Sequence, residues 1–287
     1  MAAPVFRFAP SPNGRLHLGH ALSAGLNARM AERAGGRFLL RVEDIDRERS
    51  KPELERAMLD DLRWLGLRWE EPVRRQSDHM AEYEAALERL KGMGLVYPGF
   101  MSRGAIRART ADPAWPRDPD GAQLYPSDDR RLGEAECMQR IANGEPHGWR
   151  LDTCEAMKRV GVPLSWQEWT SEGLTESRRV AAQPEEWGDV LIARSTVPTS
   201  YHLSVVVDDA LQGVSHVVRG QDLYHATSVH RLLQNLLGLP APRYFHHRLV
   251  LGQDGRKLAK SEGSAGIGTL REAGWTPERV WREVGLG

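Results

Sequence analysis

The sequence predicts an α/β fold: a doubly wound, Rossmann-like nucleotide-binding sheet assembled from both ends of the chain and interrupted by an α+β insertion. Three observations predict it. Short buried-strand patterns alternate with helical patterns at both ends. Between them, from Tyr97 to about Asp189, the pattern breaks into Pro-, Gly- and Asp-rich stretches, of which DPAWPRDPDGAQLYP at 112–126 is the clearest. Two glycine-associated basic segments, APSPNGRLHLGH at 9–20 and KLAKS at 257–261, bracket almost the whole architecture.

In chain order, residues 5–8 read as a short buried strand and 17–34 as a helix stopped by Gly35-Gly36. A second strand over 38–42 and helices over 52–65 and 77–93 complete half of a nucleotide-binding domain, residues 1–96. Residues 97–189 form the insertion. Strand-like runs resume at 190–193, 201–207 and 214–218, followed by a helix over 226–237 and a final strand near 248–251. These finish the sheet within 190–261. Thr276, Pro277 and Glu278 read as N-cap and first turn of one closing helix that ends at Gly285, within a short helical remnant, 262–287.

Lys plus Arg and Asp plus Glu are equal at 39 each, so the net charge is zero and no global positive field attracts nucleic acid. Any RNA contact must come from local patches such as MSRGAIRAR at 101–109 or Arg178-Arg179. Two cysteines, no apolar run of membrane-spanning length and no signal-like start point to a reduced, cytoplasmic protein with no membrane partner. Cys137 and Cys154 have no metal-type spacing.

In the first basic segment Pro10 and Pro12 stiffen the backbone and Asn13-Gly14 supplies a turn. His17 and His20 lie three apart around Gly19, which brings two imidazoles to a helix N-terminus, where phosphate binds readily. In the second, Lys257 and Lys260 lie three apart in a polar, glycine-flanked stretch suited to bringing point charges onto a polyphosphate.

Together these segments resemble the HIGH and KMSKS signatures of class I aminoacyl-tRNA synthetases. FLLRVEDID at 38–46, YHLSVVVDDALQGVSHVVRGQDL at 201–223 and LLGLPAPRYFHHRLVL at 236–251 resemble the glutamate-specific branch. Full-length glutamyl-tRNA synthetases continue far beyond KMSKS into anticodon-binding domains, whereas 26 residues follow Ser261. That brevity resembles the glutamyl-queuosine tRNA(Asp) synthetases and leads to the expectation of a monomer with no anticodon-binding domain.

The resemblance implies ATP-dependent, tRNA-independent activation of L-glutamate to glutamyl-adenylate, then transfer to queuosine in the anticodon loop of tRNA(Asp). It assigns His17, His20, Lys257 and Lys260 to ATP and catalysis, with Gly19 leaving room for the adenosine. Ala259 stands where the family usually has serine. Arg7, Ala9, Ser11, Glu43, Tyr201 and Arg219 match the glutamate pocket: by resemblance Glu43 takes the α-ammonium, and Arg7 and Arg219 share the carboxylates. The bland alternative is a structural Glu43–Arg219 pair. Asp44, Asp46, Asp208 and Asp209 read as turn and cap residues rather than magnesium ligands, so Mg²⁺ is expected to arrive with ATP. Many relatives hold a structural zinc in the insertion, but here Gly99, Met101, Tyr125 and Asp129 occupy the ligand positions, so no zinc is expected. Arg130 or Arg131 near Asp129, with Phe100 and Met101 packing, is expected to hold that loop instead. The runner-up is the catalytic body of a glutamyl-tRNA synthetase charging a tRNA 3′ end. A small-molecule nucleotidylyltransferase, which shares the HxGH turn, would not explain FLLRVEDID, and intact motifs disfavour a non-catalytic paralogue.

Overall fold

The computed structural model of the protein describes residues 2–251 and 265–287. β1 (Val5–Phe8) is buried along its whole length. α1 (Leu18–Arg33) starts at its N-cap His17 and stops two residues before Gly35, whose φ of +58° is the left-handed backbone that ends a helix without a Cβ penalty. β2 (Arg37–Val42) follows, then α2 (Pro52–Trp64), whose proline occupies the first turn, where a missing N–H costs nothing. β3 (Glu70–Arg75) and α3 (Met80–Gly92) complete this part.

The middle of the chain contributes β4 (Val96–Gly99), α4 (Arg103–Arg109), α5 (Glu134–Ala142), β5 (Gly148–Leu151), α6 (Thr153–Val160), β6 (Ser165–Trp169), β7 (Ser177–Ala181) and β8 (Leu191–Arg194). β4, β5 and β8 form a three-stranded antiparallel sheet. Sheet membership cuts across the 97–189 span. β6 and β7, inside it, extend the large sheet, with Glu168 opposite Tyr244, while β8, just beyond it, edges the small one.

The last part supplies α7 (Tyr201–Leu211), β9 (His216–Gly220), α8 (Thr227–Leu236), β10 (Arg243–His247), α9 (Ile267–Glu272) and α10 (Pro277–Glu283). Thr276 caps α10 by accepting from the Arg279 N–H, as its sequence predicts. The large sheet runs β3-β2-β1-β9-β10-β6-β7 and is parallel except for the β6–β7 hairpin. Its strand order reverses at β1, so the carboxyl ends of β1 and β9 flank the crevice where doubly wound sheets bind ligands.

Two expectations fail locally. The run at 201–207, read as a strand, is the first part of α7. Seven of its eleven residues are buried, so the helix shows no amphipathic period, and a short apolar run rich in valine cannot be told from a buried strand. The final strand lies earlier than 248–251, at β10, directly after the segment Pro240–Pro242. A further helix, α9, precedes the predicted closing one.

α7 packs between α3 and α8 and fills the largest apolar cluster with Leu203, Val205, Val206 and Val207, among Leu90, Val229 and Leu233. Its far end carries buried Asp208, which accepts from Arg74 Nε at 2.7 Å, Gln76 Nε2 at 2.7 Å and the Tyr83 hydroxyl at 2.8 Å. One carboxylate thus ties α7 to β3 and α3. Replacing it leaves buried Arg41 and half-buried Arg74 short of an anion. Asp208→Ala is expected to lower stability by about 3–5 kcal/mol, the usual cost of removing one partner from a buried ion pair. Urea unfolding monitored by circular dichroism measures it, and a loss below about 1 kcal/mol would contradict this role.

Candidate active site

The crevice at the β1/β9 reversal is a cleft of about 490 Å³. Its wall includes Arg7 and Ala9 from the end of β1, Glu43 just past β2, Tyr201 at the start of α7, and Arg219 near the end of β9. His17, Gly19 and His20 line the same cleft from the start of α1. Eight residues predicted from distant parts of the sequence therefore meet in one space. Ser11 is not in the lining, and Lys257 and Lys260 lie outside the described residues.

At the α1 end, His17 Nδ1 accepts from the Gly19 N–H at 3.1 Å and His20 Nδ1 accepts from the His17 N–H at 3.1 Å. The two rings satisfy helix donors reciprocally and touch, with centroids 3.9 Å apart. Because each Nδ1 is an acceptor, each neutral ring carries its proton on Nε2. A Cβ at position 19 would stand 3.0 Å from the His17 ring, so a larger residue there would press on the capping ring.

Beneath the cleft lies a charge network that the sequence did not reveal. Arg7 grips Asp209 with Nε at 3.0 Å and a second nitrogen at 3.3 Å. Arg41, wholly buried in β2, donates to the same Asp209 at 2.8 Å and to Glu43 at 3.1 Å. Burial opposes the Arg41 charge, but Asp209, Asp208 and Glu43 outweigh it and hold its pKa well above the ordinary value. Asp209 is likewise penalised by burial, yet Arg7 and Arg41 pull its carboxyl below the usual range. Glu43 is pushed up by burial, with Arg41 and Arg7 only partly compensating. Its structural partner is Arg41; no Glu43–Arg219 ion pair occurs among the described residues. Asp208 and Asp209 are thus ion-paired core residues on α7 rather than turn or cap residues. Asp44 does not serve a local turn but accepts from the Ser77 N–H and hydroxyl, 33 residues along the chain, whereas Asp46 does, pairing with Arg49 three residues on. The only sequence signal for Arg41 was a charge inside the apolar run FLLRV.

Arg219 is different. It is 5% exposed, yet among the described residues no carboxylate pairs with it. Its nitrogens donate instead to His246, His230, the Tyr201 hydroxyl, the Leu223 carbonyl and Thr227. A guanidinium with no carboxylate partner among the described residues therefore lines a cleft whose wall also carries two carboxylates, Glu43 and Asp222.

The positions matched to zinc ligands also come together. A Cβ on Gly99 would stand 2.9 Å from the Tyr125 hydroxyl. Asp129 accepts from that hydroxyl and, at 2.8 Å, from the Phe100 N–H, while Arg150 stacks 3.5 Å over the Tyr125 ring. Arg130 does not pair with Asp129 as expected but with Asp189 and Asp152, so it clamps the base of the small sheet; Arg140 packs over Phe100. A glycine, a thioether and a carboxylate already engaged in two hydrogen bonds do not fit a tetrahedral zinc.

Residues 5–286 match the family described as tRNA synthetases class I (E and Q), catalytic domain. The chain belongs to this family. It is 45% identical over 290 residues to the glutamyl-Q tRNA(Asp) synthetase of Rhodobacter capsulatus, covering 98% of this chain and all of that protein. It is 40% identical to the protein of the same name from Symbiobacterium thermophilum, covering 96% of this chain and 83% of the relative. The crystal structure of the glutamate-tRNA synthetase of Elizabethkingia anophelis superimposes with a TM-score of 0.72 at 24% identity, over 91% of this chain and 53% of that one, and shows the shared fold. Family membership carries the use of ATP with a divalent metal ion, generally Mg²⁺. Among the described residues no three His, Cys, Asp or Glu side chains converge.

Two outcomes are expected. Burial lowers the imidazole pKa values of His202, His216 and His246 to about 4, and that of His230 well below its ordinary value. Between about pH 6.5, where unfolded imidazoles take a proton, and pH 4, the unfolded chain binds more protons than the folded one. Stability should therefore fall steadily as pH drops through that window, and an unfolding midpoint flat across it would refute this. Second, purified protein should hold no stoichiometric zinc and should resist chelator, checked by elemental analysis and thermal unfolding; one zinc per chain would overturn it.

Proposed function

We propose that the chain activates L-glutamate with ATP without any RNA, and then passes the glutamyl group to the cyclopentenediol of queuosine in the anticodon loop of tRNA(Asp). The observation that carries the reading is that one cleft is lined by Arg219, which no carboxylate among the described residues pairs, by Glu43, and by the His17–Gly19–His20 turn. A ligand with an ammonium and carboxylates on one side and a triphosphate on the other suits those groups. The relatives' names supply the acceptor.

In the first step a glutamate α-carboxylate oxygen attacks the α-phosphorus in line, the bond to the bridging oxygen breaks, and pyrophosphate leaves. Glu43 holds the ammonium, Arg219 and Arg7 the carboxylates. Arg7 has Nε and one terminal nitrogen committed to Asp209, so only its remaining N–H groups serve the substrate. His17 and His20, with Lys257 and Lys260, meet the growing charge on pyrophosphate. In the second step a queuosine hydroxyl attacks the mixed-anhydride carbonyl, its proton is lost, and AMP departs. Exposed Arg178 and Arg179 on β7, with Arg103 and Arg107 on α4, offer phosphate contacts for the loop.

Pyrophosphate exchange should depend on glutamate, ignore aspartate and need no tRNA. His20→Ala and Lys260→Ala should each slow it about 10²-fold, as loss of one preorganised donor does; near-native exchange in both would remove these residues from the step. Labelled glutamate should transfer to queuosine-containing tRNA(Asp) lacking its 3′-terminal adenosine, and not to an intact tRNA(Asp) with guanosine at the anticodon position. The opposite pattern would indicate 3′ charging.

A further inference from the structure

Arg219 has five N–H donors and five acceptors around it. Two of these, the Tyr201 hydroxyl at 3.4 Å and the Leu223 carbonyl at 3.0 Å, belong to residues of the cleft wall. The other three lie behind it: His246 Nε2 at 3.1 Å from Nε, His230 Nδ1 at 3.1 Å, and the Thr227 hydroxyl at 2.8 Å. The two imidazoles are themselves oriented. His246 Nδ1 lies 3.0 Å from both Glu168 oxygens, and Glu168 is fixed in turn by the Trp166 indole N–H at 2.9 Å. His230 Nε2 lies 3.3 Å from His202 Nδ1.

Only one set of protons satisfies every contact. His246 carries its proton on Nδ1, given to Glu168, and His230 carries its own on Nε2, given to His202, so both remaining nitrogens accept from Arg219. A second proton on either ring would remove an acceptor and set a cation beside a buried cation. Arg7 and Arg41 show the alternative way to hold a guanidinium here, with Asp209 neutralising their charge.

We propose that His230 and His246 are positioning residues for the reaction: as neutral acceptors they fix the Arg219 guanidinium without consuming its charge, which a substrate carboxylate meets by displacing the cleft-wall contacts to the Tyr201 hydroxyl and the Leu223 carbonyl. This rests on the glutamate-activating function proposed above. Glu168, on β6, acts one step further out by setting the His246 tautomer.

The test is the near-isosteric pair His230→Asn and His230→Asp in the full chain, assayed by glutamate-dependent pyrophosphate exchange. Asn keeps a neutral acceptor at the Nδ1 position and should leave the KM for glutamate within about threefold of the parent. Asp adds a carboxylate against Arg219 and should raise that KM about tenfold or more, the scale of one charge-assisted hydrogen bond, with the KM for ATP unchanged. Equal glutamate KM values for the two variants, or a parallel rise in the KM for ATP, would overturn the proposal. Nitrogen NMR of the parent protein gives a reading independent of folding of the variants. At neutral pH it should find both rings uncharged, with the proton on Nδ1 in His246 and Nε2 in His230. A charged ring or the opposite tautomer would equally overturn it. Absence of exchange in the parent would instead reject the proposed function and leave the NMR result to judge the tautomers.

Discussion

The buried contact between Arg41 and the neighbouring acids Asp209 and Asp208 is the constraint on which the rest depends. A guanidinium near the end of β2 could not stay charged in an apolar layer unaided. The two carboxylates at the end of α7 answer it, and the same pair draws in Arg7 from β1, Arg74 from β3 and Tyr83 from α3. Three strands and two helices are thereby registered on one helical turn. Such a network is weak evidence for stability, since burying the ions costs about what their attraction returns. Its effect is geometric: it sets where β1 and β2 end, and so where Ala9 and Glu43 stand.

Three buried arginines near one cleft would be redundant if they were equivalent, and they are not. Arg41 is structural and Arg7 is half engaged with Asp209, while Arg219 is held by imidazoles, a hydroxyl and a carbonyl. Anionic partners neutralise a guanidinium; neutral acceptors only orient it. The cleft therefore has a fixed anion in Glu43 and an unneutralised cation in Arg219, the polarity an amino acid requires. Burial raises the Glu43 pKa, so an arriving ammonium would favour its ionised form and couple amine binding to carboxylate charge.

The small sheet shows the same economy of contacts without a metal-type donor set. Asp129 gathers the Tyr125 hydroxyl and the Phe100 N–H, and the planar Arg150 group covers the tyrosine ring from the side that Gly99 leaves open. Cation–π contact and hydrogen bonds on an aspartate bring 99, 125 and 129 together by a different chemistry from thiolate coordination.

What the sequence by itself determined is local. Proline and glycine punctuation bounded α1 and α2, Thr276 capped α10, and alternating apolar runs located β1, β2 and α8, because these signals are read within one or two turns of chain. The two histidines of the first motif were legible for the same reason. The tertiary structure alone decided that 201–207 is helical, since a run buried on every side carries no period to read. It alone joined β6 and β7 to the large sheet, through a pairing of residues nearly eighty positions apart. It also decided which arginine keeps its charge available. That depends on whether the groups meeting Arg7, Arg41 and Arg219 are carboxylates or imidazoles, and those partners come from helices and strands that only the folded chain brings within hydrogen-bonding distance.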